Sequence, residues 1–405
     1  MNKYTRIITT AMAGLMASAA VAQDDYTPGA ILDGFPPGAI LEDINMYTPE
    51  DGDPAYKVTA NEKYGTQWLV DVAYSYWHTN GAAANNHNNY MLLHTILTQR
   101  IIENERHGGT WLRFELSGSW GLDGRSAAAD KQFTDSVGET SWMHADIYGP
   151  HDAVIPELSL MQYFNGKRAC VIAGLVNMTN YFDCVSPAND SFTSFTNNAF
   201  VNSTVLALPD ANLGAIVQYE IDEESYAMLG FSREACTYGD NPFQSGSSYM
   251  IVGEYGLKHI LDGDATVRIN PFFRQVKDAG KNRHNAGLAA SIEYTPCDEL
   301  TLFARSGFSA KQDLGAAFDF SCGATISGIP GREDDFVGLA FGAFKGTNHA
   351  DEPTTHNREY VFEAMYSLQL NNYWKLAPHF QYIKNPAYSG ESDAVIMGIQ
   401  AIFSF

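Results

Sequence analysis

The chain has 405 residues and a formal net charge of −22 at pH 7. This acidic balance argues against a nucleic acid as partner, because few cations are left to neutralise phosphates. The 22 Tyr, 23 Phe and 35 Gly occur with a mean hydropathy of only −0.21. Such a composition is typical of a sheet with a thin apolar band, aromatic girdles and a wet interior.

The first 22 residues have the pattern of a secretory signal peptide. Lys3 and Arg6 make a positive start, residues 7–20 are apolar or small, and residues 20–22 form an A-x-A cleavage site. We therefore expect an exported chain. No later stretch has the roughly 18 uninterrupted apolar residues of a transmembrane helix, so any crossing of a membrane is expected to use strands.

Residues 23–65 differ in composition from the remainder of the chain. They contain a near-repeat, P-G-A-I-L-D at 28–33 and P-G-A-I-L-E at 37–42, and many Gly, Pro, Asp and Glu residues. We interpret this stretch as a periplasmic N-terminal arm. A partly disordered leader and a cover over the periplasmic mouth are the two alternatives.

From residue 66 to residue 405, apolar and polar side chains alternate in many short runs. The clearest run is L-R-F-E-L-S at 112–117, in which the leucines and the phenylalanine share one face and Arg113 and Glu115 share the other. The same alternation recurs at 67–79, 267–275, 288–294, 362–370, 374–382 and 395–405. Clusters of Gly, Asn, Asp and Pro separate these runs, and long connections alternate with tight ones.

The last run, 395–405, has one wholly apolar face and ends on Phe405. A soluble sandwich would show similar alternation, but the export signal, the number of runs and the aromatic terminus favour a membrane barrel. We predict an all-β fold, a transmembrane antiparallel β-barrel of the outer-membrane porin type. At roughly 20 residues per strand the stretch 66–405 holds about 16–18 strands, and we predict 16.

The five cysteines are Cys170, Cys184, Cys236, Cys297 and Cys322. Cys170 and Cys184 are the weak candidate pair, since they lie closest in sequence, while isolated thiols or one loop disulfide are the favoured interpretation. No CxxC motif is present, and the 11 His residues have no metal-ligand spacing such as HExxH. We expect no metal and no cofactor.

Several motifs carry a family resemblance. Near the end of the chain stand E-A-M-Y at 363–366, L-A-P-H-F-Q-Y-I-K-N-P at 376–386 and a last strand that ends in Phe. In the middle stand G-L-V-N at 174–177, Y-F-D at 181–183 and F-T-N-N-A-F at 195–200. These motifs resemble those of the carbohydrate-selective porins, the OprB family, and the resemblance extends over residues 66–405.

The resemblance implies a 16-stranded barrel in the bacterial outer membrane, a narrowed eyelet, and passive uptake of glucose and related sugars. Two features depart from the family pattern. Val176 stands where the family often has Lys, and five cysteines are unusual for it. Both departures concern the pore lining, and therefore the choice of permeant.

A sugar that passes a pore exchanges hydrogen bonds to water for hydrogen bonds to the wall. Arg113 and Glu115 are the first candidates for such a lining, and Arg268, Arg274 and Glu293 are the second; a structural salt bridge without substrate contact is the alternative. Residues 178–200 are expected to fold inward as a constriction loop, or else to form an ordinary external loop. The predicted polar groups of this loop are Asn177, Asp183 and Asn197, and its predicted stacking surface is formed by Tyr181 and Phe182.

Small sugars are the expected permeants and outer-membrane lipid the expected surroundings. The sequence leaves open whether the barrel is a monomer or a homotrimer. A general diffusion porin or an adhesin remains an alternative function. A barrel hydrolase is less favoured, because no G-x-S-x-G elbow or similar signature is present, and we expect no enzymatic activity.

Overall fold

The computed structural model describes twelve stretches of the chain. They are residues 55–80, 87–102, 109–122, 153–165, 168–209, 211–234, 248–261, 265–278, 281–310, 316–346, 358–386 and 393–404. The predicted signal peptide and most of the predicted N-terminal arm lie outside the described residues.

A helix, α1 (Ala55–Tyr64), lies just before the first strand. The strands are β1 (Thr66–Asn80), β2 (His87–Ile102), β3 (Thr110–Gly121), β4 (Ala153–Phe164), β5 (Ala169–Val176), β6 (Asn212–Glu220), β7 (Ser225–Arg233), β8 (Tyr249–Ile260), β9 (Ala265–Asp278), β10 (Lys281–Cys297), β11 (Leu300–Ser309), β12 (Phe318–Ile326), β13 (Phe336–Lys345), β14 (Glu359–Asn371), β15 (Trp374–Lys384) and β16 (Ala394–Ser404). A second, short helix, α2 (Asn198–Val201), lies between β5 and β6. In the described part of the chain no helix is both long and apolar enough to cross a membrane.

The strands form one closed antiparallel barrel in which each strand pairs with its neighbours in sequence. The barrel closes where β1 pairs with β16, from Asp71 opposite Ser404 to Asn80 opposite Val395. Closure leaves no strand edge with unpaired backbone groups, which is the requirement for a sheet in lipid. The predicted all-β barrel of 16 antiparallel strands is confirmed.

Alternation sets the two faces of the wall as predicted. On β3, Arg113 and Glu115 point inward and are buried, while Phe114 between them points outward. The outer face carries large exposed apolar side chains, such as Leu229, which is 58% exposed, and Met397, which is 53% exposed. Apolar groups on the outside of a folded sheet indicate a hydrocarbon environment rather than water.

The two ends of the barrel differ in their connections. At the end where β1 begins, called the turn end, several connections are tight, such as 221–224 and 298–299. At the opposite end, called the loop end, the connection from β5 to β6 runs from residue 177 to residue 211. At the turn end α1 is fixed to the barrel, because the Asn61 side chain accepts a hydrogen bond of 2.9 Å from Gln67 Nε2.

The inner wall is less polar than the alternation alone predicts. Trp77, Tyr90, Phe272 and Phe303 point inward and are at most 5% exposed, and they belong to two buried apolar clusters. Both clusters include side chains of residues 177–211, which lie inside the barrel. The inner wall therefore supplies an apolar bed for that connection, in addition to polar groups for water.

Candidate functional site

Residues 177–211, here called the inner segment, leave the loop end of β5 and fold into the barrel. Two single 3₁₀ turns, Met178–Asn180 and Ser186–Ala188, and the helix α2 shape it. Asparagines begin two of these turns, since the Asn177 side chain accepts from the Thr179 N–H and the Asn197 side chain accepts from the Ala199 N–H. The predicted inward fold of residues 178–200 is thus present, and the alternative of an ordinary external loop is wrong.

The first anchor of the inner segment lies on β3 and β4. Asn180 Nδ2 donates to Glu115 over 2.7 Å, and the Tyr181 hydroxyl donates to Glu157. Arg113 Nε lies 3.4 Å from Glu157 Oε2, with both side chains at most 1% exposed. Burial, with the Glu157 carboxylate second, raises the pKa of Tyr181 well above its ordinary value, so this hydroxyl stays a donor.

The second anchor is a buried ion pair that joins the middle of the inner segment to β11. Arg305 Nε lies 3.1 Å from Asp183 Oδ2, and Arg305 Nη2 donates to the Asp183 carbonyl over 3.0 Å. The other end of the same guanidinium donates to the carbonyls of Ala188 and Phe200. One planar cation therefore ties three separate points of the inner segment together, which suits the rigid fork of arginine.

The third anchor lies across the barrel on β14 and β15. Glu363 accepts hydrogen bonds from the Thr196 N–H, the Thr196 hydroxyl and the Asn197 N–H, at 3.0–3.1 Å. Asn197 Nδ2 donates to Gln381 over 3.0 Å. His379 Nδ1 lies 2.9 Å from Glu363 and orients this carboxylate further.

The fourth anchor holds the return of the inner segment to β6. Asp319 on β12 accepts from the Ser203 hydroxyl over 2.6 Å and from the Val205 N–H over 3.0 Å. Arg274 on β9 donates to the carbonyls of Leu206 and Ala207.

Arg274 also connects the inner segment with the start of the β7–β8 connection. Its Nε lies 2.8 Å from Glu234 Oε1. Burial raises the pKa of Glu234 to about 7, and the positive charge of Arg274 opposes that rise. This contact is therefore a full ion pair only when Glu234 has lost its proton.

Part of the inner segment stays in contact with solvent. Ser186 is exposed, and its N–H and hydroxyl donate to the two oxygens of Glu293 at 3.0 and 2.5 Å. Glu293 is 18% exposed, and Arg268 Nη1 lies 3.7 Å from it. Asn202 and Asn189, both half-buried, are joined by a hydrogen bond of 3.3 Å. This edge offers hydroxyl, amide and carboxylate groups to a polar solute.

The ten predicted lining residues fall into these groups. Arg113, Glu115 and Tyr181 meet at the first anchor; Asp183 is at the second, Asn197 at the third and Arg274 at the fourth. Phe182 is buried against the wall beside Gly230, and Asn177 caps the first turn. Only Glu293, with Arg268 beside it, reaches the exposed edge. Contact of any of them with a permeant stays a prediction.

The sequence analysis did not identify the wall residues that anchor most of the inner segment. These residues are Glu157, Glu254, Arg305, Asp319 and Glu363. Each is a charged side chain in the inward row of its strand. Glu254, for example, accepts the Asp183 N–H over 2.8 Å. A charge on the inward parity was the available signal, but parity alone does not give the partner.

The candidate pair Cys170–Cys184 is wrong, because these two buried cysteines form no disulfide with each other. Cys170 lies on β5, and the Cys184 sulfur is 3.8 Å from the Phe182 carbonyl within the inner segment. Cys297 and Cys322 are free, and Cys236 lies outside the described residues. Within the described residues no three metal-ligating side chains come together.

Three structures of known proteins resemble the barrel. The high-pH structure of Pseudomonas putida OprB aligns with a TM-score of 0.69 at 15% identity, covering 86% of this chain and 96% of that one. An outer membrane protein of Vibrio cholerae, OmpT without its loop L8, gives 0.52 at 10% identity and 84% and 99% coverage. An anion-selective porin from Comamonas acidovorans gives 0.52 at 13% identity and the same coverage. At these identities the likeness shows the fold.

In sequence, an uncharacterized protein of Aquifex aeolicus is 30% identical over 115 residues. The match covers 23% of this chain and 37% of that relative's length. Residues 249–405 match the model of the family described as "Carbohydrate-selective porin, OprB family". The family and the similar structures are porins, which are transport proteins rather than enzymes. The match over residues 249–405 agrees with the resemblance of the sequence motifs to the carbohydrate-selective porins.

Proposed function

We propose that the chain is a porin of the bacterial outer membrane through which mono- and oligosaccharides diffuse passively. The observation that carries the proposal is the inner segment, which narrows a closed barrel and presents a polar edge inside it. The family match over residues 249–405 supports sugars as the permeants.

The inner segment has two faces with different tasks in this proposal. Its apolar side chains, such as Phe182 and Phe195, pack against the wall and hold the segment in place. Its polar edge, with Ser186, Asn189 and Asn202, faces the remaining lumen. A sugar passing that edge would exchange hydrogen bonds to water for bonds to hydroxyl and amide groups, weakly enough to leave on the far side.

The predicted lining residues take two roles in the proposal. Glu293, which is 18% exposed, contacts the permeant at the edge where solvent reaches the inner segment, and Arg268, which is 5% exposed, lies behind it and holds its carboxylate. The remaining eight act as supports that fix the width of the lumen. These are Arg113, Glu115, Asn177, Tyr181, Phe182, Asp183, Asn197 and Arg274.

Single-channel recording in planar bilayers tests the proposal. The purified chain is expected to conduct, and maltose or glucose at millimolar concentration is expected to lower the current. Glu293→Gln should weaken the sugar block several-fold, because an amide is a poorer acceptor for sugar hydroxyls than a carboxylate. Glu223→Gln, an exposed carboxylate in the turn 221–224, is the matched control and should leave the block unchanged.

Each alternative function gives a different record. Steady conductance that no sugar reduces would replace the carbohydrate porin by a general diffusion porin. Protein that inserts without conducting would favour an adhesin with a closed barrel, and hydrolysis of a lipid or peptide would favour an enzyme. The mass of the detergent-solubilised particle distinguishes a monomer from a homotrimer.

A further inference from the structure

We propose that the outer surface of β13, β14 and β15 at the loop end is a binding site for a lipid with an anionic phosphate headgroup. Three cations meet there: Lys345 at the end of β13, Arg358 just before β14, and Lys384 at the end of β15. Together they are called the cation cluster. Its ligand lies in the membrane, so the proposal does not depend on what passes through the barrel.

The strand register brings the three cations together. Tyr360 on β14 pairs with Lys384 on β15, and Phe344 on β13 pairs with Glu359 on β14. One step further along, Arg358 lies across from Lys345. Since neighbouring strands are about 4.8 Å apart, the cluster spans a width comparable to one phosphorylated headgroup.

The same parity that sends Glu359 into the barrel sends the cation cluster outward. Glu359 is fully buried, while Arg358 and Lys384 are exposed and Lys345 is half-buried. In the described part of the chain, none of the three cations forms an ion pair with a carboxylate of the barrel. The nearby Asp393 instead accepts hydrogen bonds from the Tyr382 hydroxyl and the Asn385 N–H.

Aromatic side chains lie next to the cation cluster on the same outer face, on the side toward the turn end, and are called the aromatic floor. Phe341 stacks with Tyr360 at 6.5 Å between ring centroids, and Phe362 meets Phe380 edge-on at 6.4 Å. These phenylalanines are 37–41% exposed. A cationic rim over exposed rings fits a ligand with a negative head and apolar chains, and free phosphate would use only the rim.

The height of the cation cluster agrees with a headgroup. Ten positions of β15 separate Trp374 at the turn end from Lys384. That is about 33 Å along the strand and about 25 Å along the axis at a strand tilt near 40°, the height of the apolar band of such barrels. Lys384 therefore lies at the boundary between hydrocarbon and headgroups when Trp374 lies at the other boundary.

The turn end has the opposite charge. Exposed carboxylates dominate its connections, with Asp222, Glu223, Glu224, Asp298, Glu299, Glu333 and Asp334. The turn end also carries cations, but its exposed Arg332 is paired with a carboxylate, with Nε 2.8 Å from Asp335 Oδ2. The cation cluster differs because no carboxylate of the described barrel pairs with it, which favours an anionic ligand there.

Native mass spectrometry of the full chain tests the proposal, with dioleoyl phosphatidylglycerol and dioleoyl phosphatidylcholine as probes. The wild type is expected to retain the anionic lipid in preference to the zwitterionic one. Lys384→Gln and Lys345→Gln should each weaken that retention about fivefold, the effect expected for one cation near a charged membrane surface. The triple variant K345Q/R358Q/K384Q should abolish the preference.

Lys277→Gln is the matched control, because Lys277 is an exposed lysine near the loop end of β9, away from the cluster. Equal weakening by Lys277→Gln, or unchanged retention in the triple variant, would overturn the site.

Competition by inorganic phosphate separates a lipid site from a plain anion site. Inorganic phosphate should not displace the lipid; full displacement would reduce the proposal to an anion site in which the aromatic floor takes no part. If the triple variant alters the oligomer mass and not lipid retention, the surface is an interface between copies. Should the triple variant not fold, the single variants carry the test.

Discussion

At the scale of single residues, the most consequential contact is the buried pair of Arg305 and Asp183. Both side chains are at most 1% exposed, and the arginine also satisfies carbonyls of the inner segment. A buried ion pair adds little stability compared with apolar packing, but removing one partner leaves an uncompensated charge. Asp183 itself has a positive φ of 58°, a conformation that the surrounding contacts must hold.

Arg305→Gln is therefore expected to destabilise the barrel by about 3–5 kcal/mol and to loosen the inner segment. Urea unfolding in lipid vesicles measures the first effect, and the open-channel noise in bilayer recordings measures the second. Arg305→Lys keeps the charge but loses the planar fork, so it should lie between the wild type and Arg305→Gln. Noise equal to that of the wild type in Arg305→Gln would show that the other anchors hold the segment alone.

Glu234 gives a pH-dependent effect with a definite sign. Its pKa is about 7 in the fold because of burial, against 4.5 ordinarily. Between these pH values the folded chain keeps a proton that the unfolded chain releases. The free energy of unfolding therefore falls as the pH rises from 4.5 to 7 and levels off above 7, by about 1–3 kcal/mol in total.

Glu234→Gln cannot titrate, so it should remove this part of the pH dependence while its amide oxygen still accepts from Arg274. Unfolding midpoints measured from pH 4.5 to 8 for wild type and variant give the difference. Glu224→Gln, an exposed carboxylate at the turn end, should follow the wild-type curve. Parallel curves for wild type and Glu234→Gln would contradict the raised pKa.

At the scale of elements, the inner segment and the wall fit each other through residues of complementary size. A methyl group at Gly338 on β13 would lie 2.8 Å from Met365 Cγ and 3.0 Å from Phe195 Cε1. A methyl group at Gly230 would meet the ring of Phe182 at 2.8 Å. Glycines on the inward row thus make room for the aromatic side chains that the segment inserts.

Gly338→Ala is expected to destabilise the barrel by about 1–3 kcal/mol through overpacking. This exceeds the gain of about 0.4–1 kcal/mol that an alanine gives by restricting the unfolded chain. Gly253→Ala is the matched control, because Gly253 faces outward and a methyl group there meets Pro271 only at 3.4 Å. Unfolding in urea should show a loss for Gly338→Ala and no loss for Gly253→Ala; the reverse order would contradict the proposed packing.

The face of each strand could be predicted from the sequence, because successive side chains point to opposite sides of a sheet. Arg113, Glu115 and Arg268 point inward for that reason alone. Alternation does not say which strand lies opposite across the barrel, so the pairing of Asp183 with Arg305 was not predictable. That pairing depends on 16 registers and on the path of the inner segment.

Apolar residues on the inward parity carried a signal that alternation left unexplained. Ile396 and Ile402 are the large apolar residues on the otherwise polar face of the last strand, and both are buried with Trp77 in an apolar cluster inside the barrel. Such exceptions indicate that a segment of the chain packs inside the barrel, because the inner wall of a water-filled barrel would not need large apolar side chains. The composition of residues 178–200 left an inward fold and an external loop as alternatives, and the apolar exceptions on the strands supply an independent reason for the inward fold.

At the scale of the molecule, the outer surface defines a band between two aromatic rims. At the turn end, Trp374 and Tyr373 contact Phe403, with ring centroids 5.1 and 6.2 Å apart. At the loop end, Tyr360 stacks on Phe341. With strands tilted by about 40°, the band between these rims is about 25 Å tall.

This height predicts how the barrel responds to membrane thickness. Folding from urea should be most efficient in phosphatidylcholine vesicles whose hydrocarbon core is near 25 Å, because thicker bilayers force apolar mismatch that costs fractions of a kcal/mol per Å. The folded fraction is read from the shift in electrophoretic mobility between unheated and heated samples. Trp374→Ala removes an aromatic from the turn-end rim and should lower efficiency at the matched thickness, whereas Tyr64→Ala, on α1 outside the band, should not. A folded fraction that rises steadily in thicker bilayers would contradict a band of this height.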